Sequence, residues 1–277
     1  MSEVCTRYKQ HFSFFASLPL PDVEGSLAEI DYALDYLGAV GFQILTNSHG
    51  IYPGDARFSR VFDKLSERNA IVFFHPTSCH LQRENGSVEQ VDPIAGVPSP
   101  LMEFMFDTTR ALTSLFTSGT VIRCPGITFL ICHCGATFPP IVVRQYFAFL
   151  ERGKSMDYMS AYWSLSANTS LEKARIAEFS KFLVKDGDPI TIETIKNLLQ
   201  TRFYIDLAGL PFPDQIHGLL RLVDPTRLLY GSDYPFTPAA LAESLAKRLD
   251  EGLETDFGSD TRKRVLLTNA QDLLGRL

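Results

Sequence analysis

Short apolar runs alternate with longer amphipathic segments along the chain. Residues 12–18 (Phe-Ser-Phe-Phe-Ala-Ser-Leu) predict a first strand, since brief runs rich in aromatic and β-branched residues suit buried strands. A helix is predicted over about 25–37, where Leu27, Ile30, Ala33, Leu34 and Leu37 share one face. Further strands are predicted at 41–46, 70–75, 127–133, 202–207 and 227–233. Helices are predicted around Phe58, Val61, Phe62 and Leu65, and over 100–116, 139–150, 239–249 and 259–274. Residues 151–200 are polar and mostly helical in pattern, a longer insertion than a normal connection.

Strands alternating with helices predict a parallel sheet covered by helices. Every predicted strand ends in polar residues: Ser17, Thr46-Asn47-Ser48-His49, His75, His133, Asp206 and Ser232-Asp233. A (β/α)₈ barrel builds its active site from such strand ends. No internal repeat, linker or low-complexity tract interrupts the pattern, so residues 1–277 are read as a single barrel domain. Six strands are legible where a barrel has eight. Two βα units are about 60 residues, and the shortfall lies at the front, because a strand already begins near residue 12.

A hydrophobic share of 45% and a charged share of 21% are those of an ordinary soluble domain. The net charge of −6 disfavours a sequence-independent grip on nucleic acid and a polybasic membrane surface, while leaving a small anionic substrate open. The cysteines Cys5, Cys79, Cys124, Cys132 and Cys134 are odd in number in a chain too long to need staples, which points to reduced thiols and a cytoplasmic setting. Residues 1–10 are polar and 12–20 are too short for a secretory leader. No run approaches the ~20 apolar residues of a membrane span.

His75, His133 and Asp233 each sit at the end of a predicted strand. Scattered strand-end ligands suit a metal site at a barrel mouth, and imidazole with carboxylate suits a divalent ion such as Zn²⁺. A single histidine of this kind is more often a hydrogen-bonded core or loop residue; three together make that reading weaker. Their local contexts are Phe74-His75-Pro76, then 133–139 (His-Cys-Gly-Ala-Thr-Phe-Pro), then 230–235 (Tyr-Gly-Ser-Asp-Tyr-Pro). In this order they resemble the amidohydrolase-related decarboxylases, which act on aminocarboxymuconate semialdehyde, γ-resorcylate or isoorotate. The stretch 41–76 looks most like the fungal 6-methylsalicylate decarboxylases. The resemblance runs from about residue 10 to the C-terminus.

The resemblance implies an amidohydrolase-type (β/α)₈ barrel and metal-dependent, non-oxidative decarboxylation of a small aromatic carboxylic acid, such as 6-methylsalicylate or an orsellinate-like hydroxybenzoate. His75 and Asp233 would be metal ligands. His133 would be the catalytic proton-transfer group. The metal would be Zn²⁺ first, with Mn²⁺ or Mg²⁺ open. Arg144 would reach a substrate carboxylate across a homodimer interface; an exposed helix arginine is the equal alternative. Thr46 and Asn47 are the pocket candidates at the second strand end. Phe15, with Phe14 and Phe74, could seat the ring, although alternation turns only some of them inward.

The departures from the family are equally specific. Its first strand carries a His-x-His or Glu-x-His pair, and none of His11, His49, His80 and His217 forms one. The expectation is therefore a barrel without its first two βα units, through a start placed too late, a short isoform or a decayed gene. Such a sheet would expose two edges that invite pairing. The family's Gly-Gly after the catalytic histidine is here replaced by Cys134-Gly135-Ala136. Two other readings stay open: a hydrolase of the same superfamily acting on a lactone or amide, and a non-catalytic remnant. Cys132 and Cys134 are expected to point away from His133 into the core. His49 is read as a turn residue before Gly50 or, less readily, as a pocket residue. Tyr162 and Trp163 are read equally as lid or as ordinary packing.

Overall fold

A computed structural model describes residues 1–8, 11–83, 85–92, 94–142, 184–185, 188–189 and 192–275. Its centre is a six-stranded, all-parallel sheet: β1 (Phe15–Ser17), β2 (Gly41–Leu45), β3 (Ile71–His75), β4 (Thr128–Ile131), β5 (Phe203–Asp206) and β6 (Leu228–Leu229), side by side in chain order. Each crossover carries at least one helix among the described residues: α1 (Val23–Tyr32), α2 (Ser59–Glu67), α3 (Glu103–Thr117), α4 (Ile192–Arg202) and, between β5 and β6, the short helix Gln215–Leu219. After β6 comes α5 (Ala239–Lys263). Consecutive parallel neighbours with helical crossovers form the wall of a barrel.

The two faces of the sheet differ. Phe42, Ile44, Val72, Phe74, Phe129, Ile131, Phe203 and Ile205 point to the helical layer and form the main core with Ile30, Phe62, Leu65, Leu112 and Leu115. Phe129 and Phe203 stack there with centroids 4.8 Å apart. The alternate residues face the other way. Gln43 lies opposite Phe73, Phe73 opposite Leu130, and Leu130 opposite Tyr204. This inner face carries a smaller apolar cluster of Ile71, Leu130, Tyr204 and Leu229, capped by Leu273 of the final helix, Asn269–Leu274. At the top of the inner face stand Leu45, paired with His75, and Asp206, paired with Leu229. The polar groups are thus at the C-terminal edge, where parallel strands place their sites.

The six predicted strands are all present, each trimmed by one to five residues. The last shortens most, because 230–233 leave the sheet. Helix 25–37 begins two residues earlier, with the Asp22 side chain accepting a hydrogen bond from the Gly25 amide at 3.0 Å, and ends in a wider turn, Ala33–Leu37. The hairpin pairing His80–Gln82 with Val88–Gln90 has no counterpart in the hydrophobic pattern, because its short polar strands carry no apolar alternation. The two C-terminal helices run together, divided by a kink at Gly258 with φ 78°. The predicted helix 139–150 is described only to residue 142, and the insertion at 151–200 only at 184–185, 188–189 and 192–200, so Tyr162 and Trp163 lie outside the described residues. No helix among the described residues is long and apolar enough to cross a membrane.

Candidate metal centre and cavity

Three strand ends bring His75, His133 and Asp233 together. One ligand atom from each lies within 4.8 Å of the others. His75 is the last residue of β3. Its Nδ1 sits 2.9 Å from the Pro76 carbonyl oxygen. A carbonyl can only accept, so Nδ1 carries the hydrogen and the Nε2 lone pair of the neutral ring is left for the site. That Nε2 is 3.4 Å from Asp233 Oδ1. His133 Nε2 approaches the same oxygen at 3.9 Å. The second oxygen of Asp233 accepts from Thr237 Oγ1 at 2.8 Å, which fixes the carboxylate plane. The three side chains are only 14–18% exposed.

The chain is forced into uncommon backbone to do this. His133, Cys134, Gly135 and Ala136 all have positive φ, from 53° to 70°. Asp233 has φ 56°. Non-glycine residues in this region cost on the order of 1–3 kcal/mol each and concentrate at functional sites. Asp206 anchors the turn: one of its oxygens accepts from the His133 amide at 2.9 Å and from the Ala208 amide at 3.0 Å. Burial pushes the Asp206 carboxyl above the usual carboxylate range, against the opposing pull of the His133 and His75 rings and those two amides. Gly231 lies directly against Asp206; a Cβ there would fall 2.8 Å from its Cγ.

The cluster opens into a cavity of about 820 Å³. Leu45, Phe104, Met105 and Phe236 give it apolar walls, and Gln43 and Gln215 add amides. The Phe236 ring lies 5.2 Å from that of His75. An apolar cavity with a few converging polar groups is the usual form of a small-molecule site. Two imidazoles and a carboxylate, largely buried and with one tautomer fixed by a carbonyl, fit a borderline divalent cation.

Other predicted residues fall elsewhere. Thr46 and Asn47 do not line the cavity. They are buried and turned to Asp107 of α3, with Thr46 Oγ1 and Asn47 Nδ2 donating to its Oδ2 at 2.5 and 2.7 Å. For Thr46 strand parity is the reason: Leu45 points to the cavity, so Thr46 points away; Asn47, which alternation would return to the cavity side, lies past the end of β2 and turns to Asp107 in the following loop. Phe15 is on the inner face but one layer below the cavity, packed on Phe73 with centroids 5.8 Å apart. Phe14 and Phe74 belong to the helix-side core. Cys134 is buried in that core too. Cys132 is buried without joining it, and burial, then the charges of Asp206 and Asp233, push its thiol well up. His49, at φ 53°, occupies a turn closed by the bridge between Ser48 and Ile51. Arg144 lies outside the described residues. In the sequence Asp206 stands out only as a polar strand end, and Asp107 carries no local signal, being one acid within a helical pattern.

A sequence-family model described as amidohydrolase matches residues 1–166. Decarboxylase macB of Penicillium terrestre is 28% identical over 247 residues, covering 87% of this chain and 62% of its own length. A 6-methylsalicylic acid decarboxylase of Penicillium expansum is 28% identical over 272 residues, covering 97% of this chain and 70% of its own length. The chain thus spans less than two thirds of the Penicillium terrestre relative. Among solved structures, the 5-carboxyvanillate decarboxylase of Novosphingobium aromaticivorans, complexed with manganese and 4-hydroxy-3-methoxy-5-nitrobenzoic acid, superposes with a TM-score of 0.75 at 20% identity, over 99% of this chain and 67% of that one. At that identity the likeness speaks for the fold, the (β/α)₈ type expected from the sequence.

Proposed function

Because the chain belongs to the amidohydrolase family, we propose that His75, His133 and Asp233 serve a divalent-metal-dependent, non-oxidative decarboxylation of a small hydroxybenzoate. The observation that carries this reading is the convergence of the three side chains within 4.8 Å at the head of an apolar cavity. The named activities of the relatives support the reaction class. The manganese in the carboxyvanillate decarboxylase supports a divalent ion; Zn²⁺ and Mn²⁺ both suit the donor set. All five cysteines are free, which supports a cytoplasmic setting.

His75 and Asp233 would hold the metal, which when bound acts as a Lewis acid and template for the substrate's oxygen atoms. The remaining work falls to the chain. Leu45, Phe104 and Phe236 seat the ring and exclude water. His133 Nε2, poised beside the Asp233 carboxylate, holds the proton and passes it to the ring carbon that bears the carboxylate. The bond from that carbon to the carboxylate then breaks, its electron pair restores the aromatic ring, and CO₂ leaves. Asp206 keeps the His133 backbone in its positive-φ turn.

The test measures CO₂ release from 6-methylsalicylate, orsellinate and a panel of hydroxybenzoates. Release is expected from at least one acid, with loss on chelation and recovery with Zn²⁺ or Mn²⁺. H133A is expected to lower kcat by about 10²–10⁴-fold while leaving metal bound. Tight metal without CO₂ from any member of the panel would refute the reading.

A further inference from the structure

Asp107 is fully buried in α3, outside the cavity, yet it is tied to the metal cluster by an unbroken hydrogen-bonded path. Its Oδ2 accepts from Thr46 Oγ1 at 2.5 Å. The same hydroxyl accepts from the Thr77 amide at 3.3 Å. That N–H shares one peptide unit with the Pro76 carbonyl, which accepts from His75 Nδ1 at 2.9 Å. Each link has a defined direction: the imidazole donates to the peptide, the peptide to the hydroxyl, and the hydroxyl to the carboxylate. Two more donors hold the carboxylate still, Asn47 Nδ2 at 2.7 Å and Tyr52 OH at 2.6 Å. Asn47 Nδ2 also donates to the Ser78 carbonyl at 3.0 Å, so the loop after β3 is pinned on both sides of Thr77. The Thr46 amide closes the frame, donating to the His75 carbonyl at 3.1 Å.

We propose that Asp107 is a positioning residue for the metal centre, acting on His75 through Thr46 and the Pro76–Thr77 peptide. The inference rests on the reading of His75 as a metal ligand and extends it to groups that touch neither metal nor substrate. Metal-binding histidines commonly donate their second N–H to a carboxylate or carbonyl, which sets the ring's tautomer and raises its basicity. Here the carbonyl is itself polarised by a hydroxyl bound to a buried carboxylate, and hydrogen bonds in series reinforce one another in a low-dielectric interior. Thr46 is the link that can be cut with least change of shape. Valine keeps its volume and β-branching but loses both bonds; serine restores both.

The experiment titrates Mn²⁺ alone into the metal-free full chain by calorimetry and follows thermal midpoints in parallel. Wild type, T46V, T46S and D107N are compared with Val61→Ala, a buried change in α2 on the helix side of the sheet. T46V is expected to weaken Mn²⁺ binding about 10-fold, with T46S within about twofold of wild type. Val61→Ala is expected to lower the midpoint and leave the affinity unchanged. In metal-free protein, the Nδ1–H proton resonance of His75 is expected to move in T46V and return in T46S. D107N is expected to match or exceed T46V; if it does not fold, the Thr46 pair decides alone. Wild-type affinity and an unmoved His75 resonance in T46V would overturn the proposal by itself. Absence of Mn²⁺ binding in wild type would overturn the metal reading beneath it.

Discussion

Gly231 packs so closely against Asp206 that no side chain fits between them. Replacing Gly231 by alanine would put a methyl group 2.8 Å from Asp206 Cγ and 3.0 Å from its Oδ1, closer than carbon atoms pack. Gly231 is not among the positive-φ residues, so the backbone tolerates alanine and the effect is steric. Asp206 cannot swing aside freely, because Oδ1 holds the amides of both His133 and Ala208. Either the strand ends spread or the carboxylate moves and releases those amides. Overpacking of this kind costs about 1–3 kcal/mol. Losing one hydrogen bond to a charged group costs about 1.5–3 kcal/mol. Either route costs about 2 kcal/mol, which corresponds to a fall in melting temperature of roughly 4–8 °C, at about 2–4 °C per kcal/mol for a chain near this length. Differential scanning fluorimetry measures the shift. A double-mutant cycle isolates the cause: once D206A has removed the carboxylate, adding Gly231→Ala should cost clearly less than it does in wild type, the remainder coming from the Asp206 Cβ at 3.1 Å, which alanine keeps. A melting temperature within about 1 °C of wild type, or a full penalty in the D206A background, would refute the reasoning.

Two other outcomes test the frame around the site. Phe129 is fully buried between Phe74 and Phe203, with centroids at 6.3 and 4.8 Å; F129A should cost about 3–5 kcal/mol, read as a lowered urea midpoint. Asp224 caps the turn before β6 by accepting from the Thr226 amide at 2.9 Å, and this bond holds its carboxyl below the ordinary range. The stability it adds is therefore complete above the ordinary carboxylate range, near pH 4, and is lost as pH falls through the lower folded value. Asparagine keeps the cap but does not titrate, so the advantage of wild type over D224N in urea should shrink between pH 6 and pH 3; an advantage constant across that range would contradict the assignment.

Much of this molecule is legible in one dimension, for physical reasons that can be named. Short apolar runs between amphipathic segments dictate parallel strands with helical crossovers, because neither element can bury its apolar face alone. All six strands follow from that pattern, and so does the barrel type. His75, His133 and Asp233 were recognisable because a parallel sheet gathers strand ends at one edge, whatever their separation in the chain. Tertiary structure decided the rest. Alternation says that Leu45 and Thr46 face opposite ways but not which of them faces the cavity; only the helical layer, settling against Phe42 and Ile44, assigns that parity and sends Thr46 away to Asp107, while Asn47, past the end of β2, reaches the same carboxylate through the loop. Phe15 and Phe74 were separated on the same ground. Beyond Ile131 alternation ceases altogether, because His133 to Ala136 adopt positive φ in a turn held by Asp206, a residue more than 70 positions away. Asp107 meets partners 55 to 61 positions distant, so no local window contains its role. Residue types set which groups could bind a metal or carry a proton; the folded chain set which were aimed there and which became the frame, because burial and hydrogen-bond partners exist only once distant segments have packed.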